Sequence, residues 1–149
     1  MNVRKLATDA VEKIIDQGAY ANIVVDEYLR NYDLAEADRS LFTKLTYGTV
    51  ERLLTLEYYL EPFISRTPKP WVKYLLYLSC YQLLYLKTPE YAVLNEAVNI
   101  ANAKDRRLGG FVNGVLRNFL RQELRSLDGL APVESLSIRY SHPEWVVRK

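Results

Sequence analysis

Apolar positions recur at three- and four-residue spacing along most of this 149-residue chain, and no segment alternates apolar and polar residues over several strands. The first stripe is Val3, Leu6, Ala7, Ala10, Val11, Ile14 and Ile15, with Arg4, Lys5, Asp9, Glu12 and Lys13 on other faces. It predicts a helix stopping at Gly18, a residue suited to the left-handed turn that ends many helices. A second helix is expected from Asn22 to about Tyr32, with Ile23, Val24, Tyr28 and Leu29 available for burial. A third starts near Asp33 to Glu36, where carboxylates suit the positive end of a helix dipole. Its stripe is Leu41, Phe42, Leu45 and Val50. Gly48 interrupts that stripe at a cost of ~1 kcal/mol relative to Ala, which points to close packing at that position. The stripe resumes at Leu53, Leu56, Leu60, Phe63 and Ile64, and Pro62 forces a kink or a stop.

Residues 65–70 form a linker in which Thr67-Pro68 reads as a cap followed by a first-turn proline. The tract from Val72 to Leu86 is apolar on nearly every face, so it must be wrapped by other helices or by lipid. A membrane span needs about 20 apolar residues. Lys73 and Lys87 bracket only 13, four of them tyrosines, so the tract reads as a buried core helix. Thr88-Pro89 ends it, and a fifth helix is expected over roughly Glu90 to Ala103. Lys104-Asp-Arg-Arg107 reads as a basic loop and Gly109-Gly110 as a flexible turn before a sixth helix. That helix would run to about Ser126 and bury Phe111, Val112, Val115, Leu116, Phe119 and Leu120.

Near the C-terminus, Ser141-His-Pro-Glu144 has the spacing of a capping box, with proline in the first turn. Trp145, Val146 and Val147 then begin an apolar stripe that halts at Lys149. A helix begun there and not completed predicts a longer natural chain. Residues 1–140 would be one domain and residues 141–149 the start of a linker or helix beyond it. The expected fold class is all-α: a bundle of about six to seven helices with short connections.

Composition adds little to this picture, and charge somewhat more. With 49% hydrophobic and 26% charged residues, the chain is that of a globular protein large enough to bury a core. One cysteine allows no intramolecular disulfide, and no charged-then-apolar leader follows Met1, so a cytoplasmic location is expected. The net charge of +2 is unevenly spread: residues 1–61 hold seven basic and 11 acidic side chains, residues 62–149 hold 13 and seven. The second half therefore suits a polyanion, against the plainer alternative of a solvated charged surface.

Catalytic chemistry finds no support. There is no glycine-rich nucleotide loop of the usual spacing. A lone cysteine and a lone histidine, far apart in sequence, make no metal site. Cys80 lies in the apolar tract, where burial makes a thiol inert, and His142 sits in the capping turn. A binding role remains. Cations hold phosphates, while amide and aromatic side chains address unpaired bases. The candidates are Arg4 and Lys5 on the first helix, Lys104, Arg106 and Arg107 in the basic segment, and Asn113, Arg117 and Arg121 at four-residue spacing on the sixth helix. For Asn113, capping or cross-linking within the bundle is the competing role.

The order of these elements resembles the NusB-like all-helical domain. The resemblance rests on Asp38-Arg39, Leu45-Thr-Tyr-Gly48, Tyr81-Gln-Leu-Leu-Tyr85, Pro89-x-Tyr-Ala92, Asn95-Glu-Ala-Val98 and Phe111-Val-Asn-Gly-Val-Leu-Arg117, and covers roughly residues 3–125. Two groups carry that domain: stand-alone transcription antitermination factors, and the Sun (RsmB, or Fmu) methyltransferases, in which it is N-terminal. Tyr140-Ser-His-Pro-Glu-Trp145 looks like the junction of the second group. The resemblance then implies an RNA-binding accessory domain of an enzyme that methylates carbon 5 of a cytosine in small-subunit ribosomal RNA. S-adenosylmethionine would be the cofactor of the parent protein. The implied partners are ribosomal RNA and the chain's own C-terminal methyltransferase domain, with no membrane and no catalytic residue in this segment. The alternatives are an antitermination factor that binds RNA and a ribosomal protein, and a helical protein–protein module without an RNA role.

Overall fold

The computed structural model describes residues 2–65 and 68–121. Over those residues the chain forms seven α-helices and no strand. They are α1 (Val3–Asp16), α2 (Ala21–Asn31), α3 (Glu36–Glu51), α4 (Leu53–Leu60), α5 (Pro70–Tyr81), α6 (Glu90–Lys104) and α7 (Arg106–Arg121). A 3-10 turn, Glu61–Phe63, follows α4, and a π-helical turn, Gln82–Leu86, extends α5. None of these helices is long and apolar enough to cross a membrane.

The expected all-α bundle is what forms, and its axis is the apolar tract. In α5 every residue from Tyr74 to Tyr81 is buried, as are Trp71 and Val72. The helix can be apolar all round because α1, α3, α4, α6 and α7 all pack against it. Two carboxylates of α1 hold it in register: the Trp71 indole N–H donates to Asp9 Oδ1 at 2.8 Å, and the Tyr74 hydroxyl donates to Asp16 Oδ1. Gln82, 1% exposed, accepts from Arg4 Nε at 2.7 Å and donates to the Leu78 carbonyl.

Several boundaries follow the sequence signals. Asn2 caps α1, its Oδ1 accepting from the Lys5 N–H at 3.0 Å. Gly18, at φ +70°, ends α1 in the left-handed turn. Glu36 and Asp38 occupy the first turn of α3, and Pro62 lies in the 3-10 turn. Gly48 is a close approach, although its neighbour is an aromatic ring rather than a backbone. A Cβ there would collide with the ring of Tyr81, itself stacked on Tyr85 at 5.5 Å.

Other expectations are corrected. The third stripe breaks at Arg52 into two helices. The first-turn proline of α5 is Pro70, with Lys69 as the residue before it, rather than Pro68. Lys104 to Arg107 is not a loop and Gly109-Gly110 is not a turn: α6 runs through Lys104 and α7 begins at Arg106. The single residue between them, Asp105, is extended, and its carboxylate caps α7 by accepting from the Arg107 N–H at 2.9 Å. Gly109 is then a packing residue, since a Cβ would collide with the Asn102 side chain of α6. The expected end of the sixth helix near Ser126, Thr67, and the Ser141–Glu144 box with His142 and Trp145 lie outside the described residues.

Candidate nucleic-acid interface

A link of one residue folds α6 and α7 into a tight hairpin, with Asn102 against Gly109 near the link and the start of α6 beside the end of α7. Each helix shows one polar row. At 100° per residue, Arg106, Asn113, Arg117 and Arg121 fall within about 80° of arc on α7. Val112, Val115, Leu116 and Phe119 face the core on the opposite side. On α6, exposed Tyr91, Asn95, Asn99 and Asn102 share a similar arc. The hairpin thus sets a cationic row beside an aromatic and amide row.

The rows meet in a cleft of about 400 Å³ whose rim is Glu90, Tyr91, Asn95, Arg117 and Arg121 over a floor of Leu94 and Leu120. Arg117 is oriented by its own helix: Nε donates to Asn113 Oδ1 at 3.0 Å. That bond uses Nε and leaves the two terminal nitrogens of the guanidinium, a planar fork suited to phosphate, with donors to spare. Tyr91 is 74% exposed, one of the most exposed large apolar side chains among the described residues.

The remaining sequence candidates sit elsewhere. Arg106 shares the arc of Arg117 but lies about 16 Å further along the helix at 1.5 Å per residue. Arg107 is engaged in a bidentate pair with Asp105, with Nε at 3.3 Å from Oδ1 and a terminal nitrogen at 3.0 Å from Oδ2. Hydrogen bonds from Arg107 hold the Asp105 carboxyl below its ordinary range. Lys104 Nζ stands 4.1 Å over the Trp71 ring. On α1, Arg4 is tied to Gln82, and Lys5 Nζ is paired with Asp9 at 2.9 Å. The structure therefore brings Asn113, Arg117 and Arg121 together, continues their row to Arg106, and places Arg4 and Lys5 on a different element.

Two residues that charge counting missed complete the cleft: Tyr91 and Asn95. Tyr91 follows Pro89 by two positions, in the first turn of a helix, where an aromatic has little core to enter. The three asparagines at four- and three-residue spacing were the readable signal on α6.

Cys80 is fully buried and burial pushes its thiol well above the ordinary range, which removes it as a nucleophile. Among the described residues, no group of histidine, cysteine and carboxylate side chains could hold a metal ion. With no strand among them, they also lack the strand, glycine turn and helix that cradle a dinucleotide-like cofactor.

Comparison with known proteins places these features in context. The NusB family model matches residues 1–121. The "Probable ribosomal RNA small subunit methyltransferase B" of Bacillus subtilis is 40% identical over 153 residues, covering 99% of this chain and 34% of that protein. The proteins named "Ribosomal RNA small subunit methyltransferase B" from Proteus mirabilis and Yersinia pseudotuberculosis are each 34% identical over 152 residues, again across 99% of this chain and 35% and 34% of theirs. The chain spans about a third of the length of the curated relatives it matches.

Proposed function

The chain belongs to the NusB family, and from that premise we propose that it is the RNA-binding accessory domain of an S-adenosylmethionine-dependent small-subunit rRNA cytosine-C5 methyltransferase. The observation that carries this reading is the α7 row of Arg106, Arg117 and Arg121, all exposed on one side of a helix whose other side is core. It supports binding to a polyanion, and the names of the relatives supply ribosomal RNA as the polyanion. The same relatives, matched over nearly all of this chain, favour the methyltransferase reading over a stand-alone antitermination factor.

Methyl transfer to a base requires that the base be exposed. A separate domain that holds the RNA backbone raises the local concentration of that base at a catalytic domain without touching the chemistry. These residues hold RNA and do not catalyse.

Titrating a labelled small-subunit rRNA fragment at two salt concentrations tests the proposal. Affinity should fall steeply with salt, with a slope of roughly −0.7 per neutralised phosphate on a single strand. The double variant Arg117→Glu/Arg121→Glu should keep its helical circular dichroism and lose at least about tenfold in affinity. Unchanged affinity in the folded double variant removes this face from RNA binding.

A further inference from the structure

Resting on that RNA-binding reading, we propose that the cleft between the start of α6 and the end of α7 is a site for one unpaired nucleotide, its base stacked on Tyr91 and its phosphate held by Arg117 and Arg121. The hairpin would then select single-stranded over duplex RNA.

Three observations converge on an unpaired nucleotide rather than a bare phosphate backbone. First, the Tyr91 ring is 74% exposed on the rim, in the first turn of a helix, so both ring and hydroxyl are available to a ligand. An aromatic face kept out of the core beside cations is the basic unit of single-strand recognition, because every base has a face that stacks. Second, the cleft of about 400 Å³ has an apolar floor, Leu94 and Leu120, where a flat base can shed water. A duplex keeps its base faces covered by stacking, so it can use the arginines but neither the floor nor the ring.

Third, the rim is chemically divided. Arg117 and Arg121 provide two cations, and the Arg117 guanidinium is set by Asn113 at 3.0 Å. Glu90 and Asn95 provide a carboxylate and an amide. A carboxylate repels phosphate, but it accepts hydrogen bonds from a base's amino or imino groups, and an amide both donates and accepts. The arginines suit the charged end of a nucleotide, and Glu90 with Asn95 suits the hydrogen-bonding edge of its base. Two cations against one carboxylate leave the cleft positive overall.

The test uses the whole 149-residue chain with two probes of equal length, a single-stranded RNA carrying one 2-aminopurine and the same strand fully paired. The single strand should bind at least about tenfold tighter than the duplex, with 2-aminopurine fluorescence quenched on binding. Tyr91→Ala should lower single-strand affinity by roughly five- to 100-fold and abolish the quench, while leaving duplex affinity unchanged. Tyr91→Trp should restore both. Because the side chain is exposed, the fold should be indifferent to each change.

Equal affinity for the two probes, or single-strand binding unaltered by Tyr91→Ala, overturns the stacking site. In that case a large loss in Arg117→Glu/Arg121→Glu leaves RNA binding standing on phosphate contacts alone. If the wild-type chain binds neither probe, the RNA-binding reading itself fails.

Discussion

Gln82 is a buried polar residue of the core. It is 1% exposed and sits where α5 widens into its π-helical turn. Its amide is satisfied at both ends, by Arg4 Nε at 2.7 Å and by the Leu78 carbonyl at 3.2 Å. Arg4 is thereby drawn into the bundle. Positive charge alone made it a candidate for phosphate, and sequence carries no sign of a partner 78 residues away. The same holds for Lys104, whose ammonium lies over Trp71. Local partners are more legible: Lys5 and Asp9 are four apart on one helix, and so are Asn113 and Arg117. Arg4→Ala should strand the buried Gln82 carbonyl and lower stability by about 1–2 kcal/mol, seen as a reduced urea midpoint at unchanged slope. Its effect on RNA affinity should be far smaller than that of Arg117→Glu. The reverse ranking would return Arg4 to the RNA face.

At the scale of elements, the glycines within the described helices divide into two kinds that look identical in sequence. Gly48 and Gly109 lie at contacts: a Cβ on the first meets the buried, stacked ring of Tyr81, and on the second the movable side chain of exposed Asn102. Gly110 and Gly114 meet nothing. In sequence the Gly109-Gly110 pair reads as a turn because two adjacent glycines disfavour a helix. Asp105 was the signal against that reading. An aspartate directly before Arg-Arg-Leu is a good cap, but among Lys104, Arg106 and Arg107 its sequence context is that of one more charge. Helix cores were easier to locate, because the apolar stripe of α7 starts and repeats at the expected spacing. Gly48→Ala should destabilise the fold by about 1–3 kcal/mol, since the Tyr81 ring has little room to yield. Gly114→Ala should instead stabilise it by up to about 1 kcal/mol, because the helix gains propensity at no steric cost. Thermal melts of the two single variants should move in opposite directions, and a destabilised Gly114→Ala would mean that this face is covered.

For the molecule as a whole, the tyrosines that occupy the core make stability depend on alkaline pH. Tyr28 on α2 stacks on Phe42 of α3 at 5.5 Å and on Tyr32 at 5.6 Å, with Lys13 of α1 5.0 Å from its ring centroid. Burial first, and then the negative charge of Asp9, push its hydroxyl from 10.0 up to about 12. Burial also raises Tyr74, Tyr77 and Tyr81 on α5, and for Tyr74 the hydrogen bond to Asp16 adds to the effect. A group whose folded pKa lies above its unfolded value binds more protons in the native state as pH rises through that window. Its stabilisation is therefore complete below about pH 10 and is lost as pH climbs toward the folded value. Four such groups act in the same direction, three on α5 and one on α2, which packs on the α1 and α3 helices that in turn meet α5, so the loss should be cooperative rather than local. Urea midpoints should be flat between pH 7 and 9 and should fall progressively from about pH 10 to 12. Tyr28→Phe keeps the ring contacts and removes one titrating proton, so its midpoint should fall less over the same interval. Parallel curves for wild type and variant would show that Tyr28 ionises as freely in the folded chain as in the unfolded one.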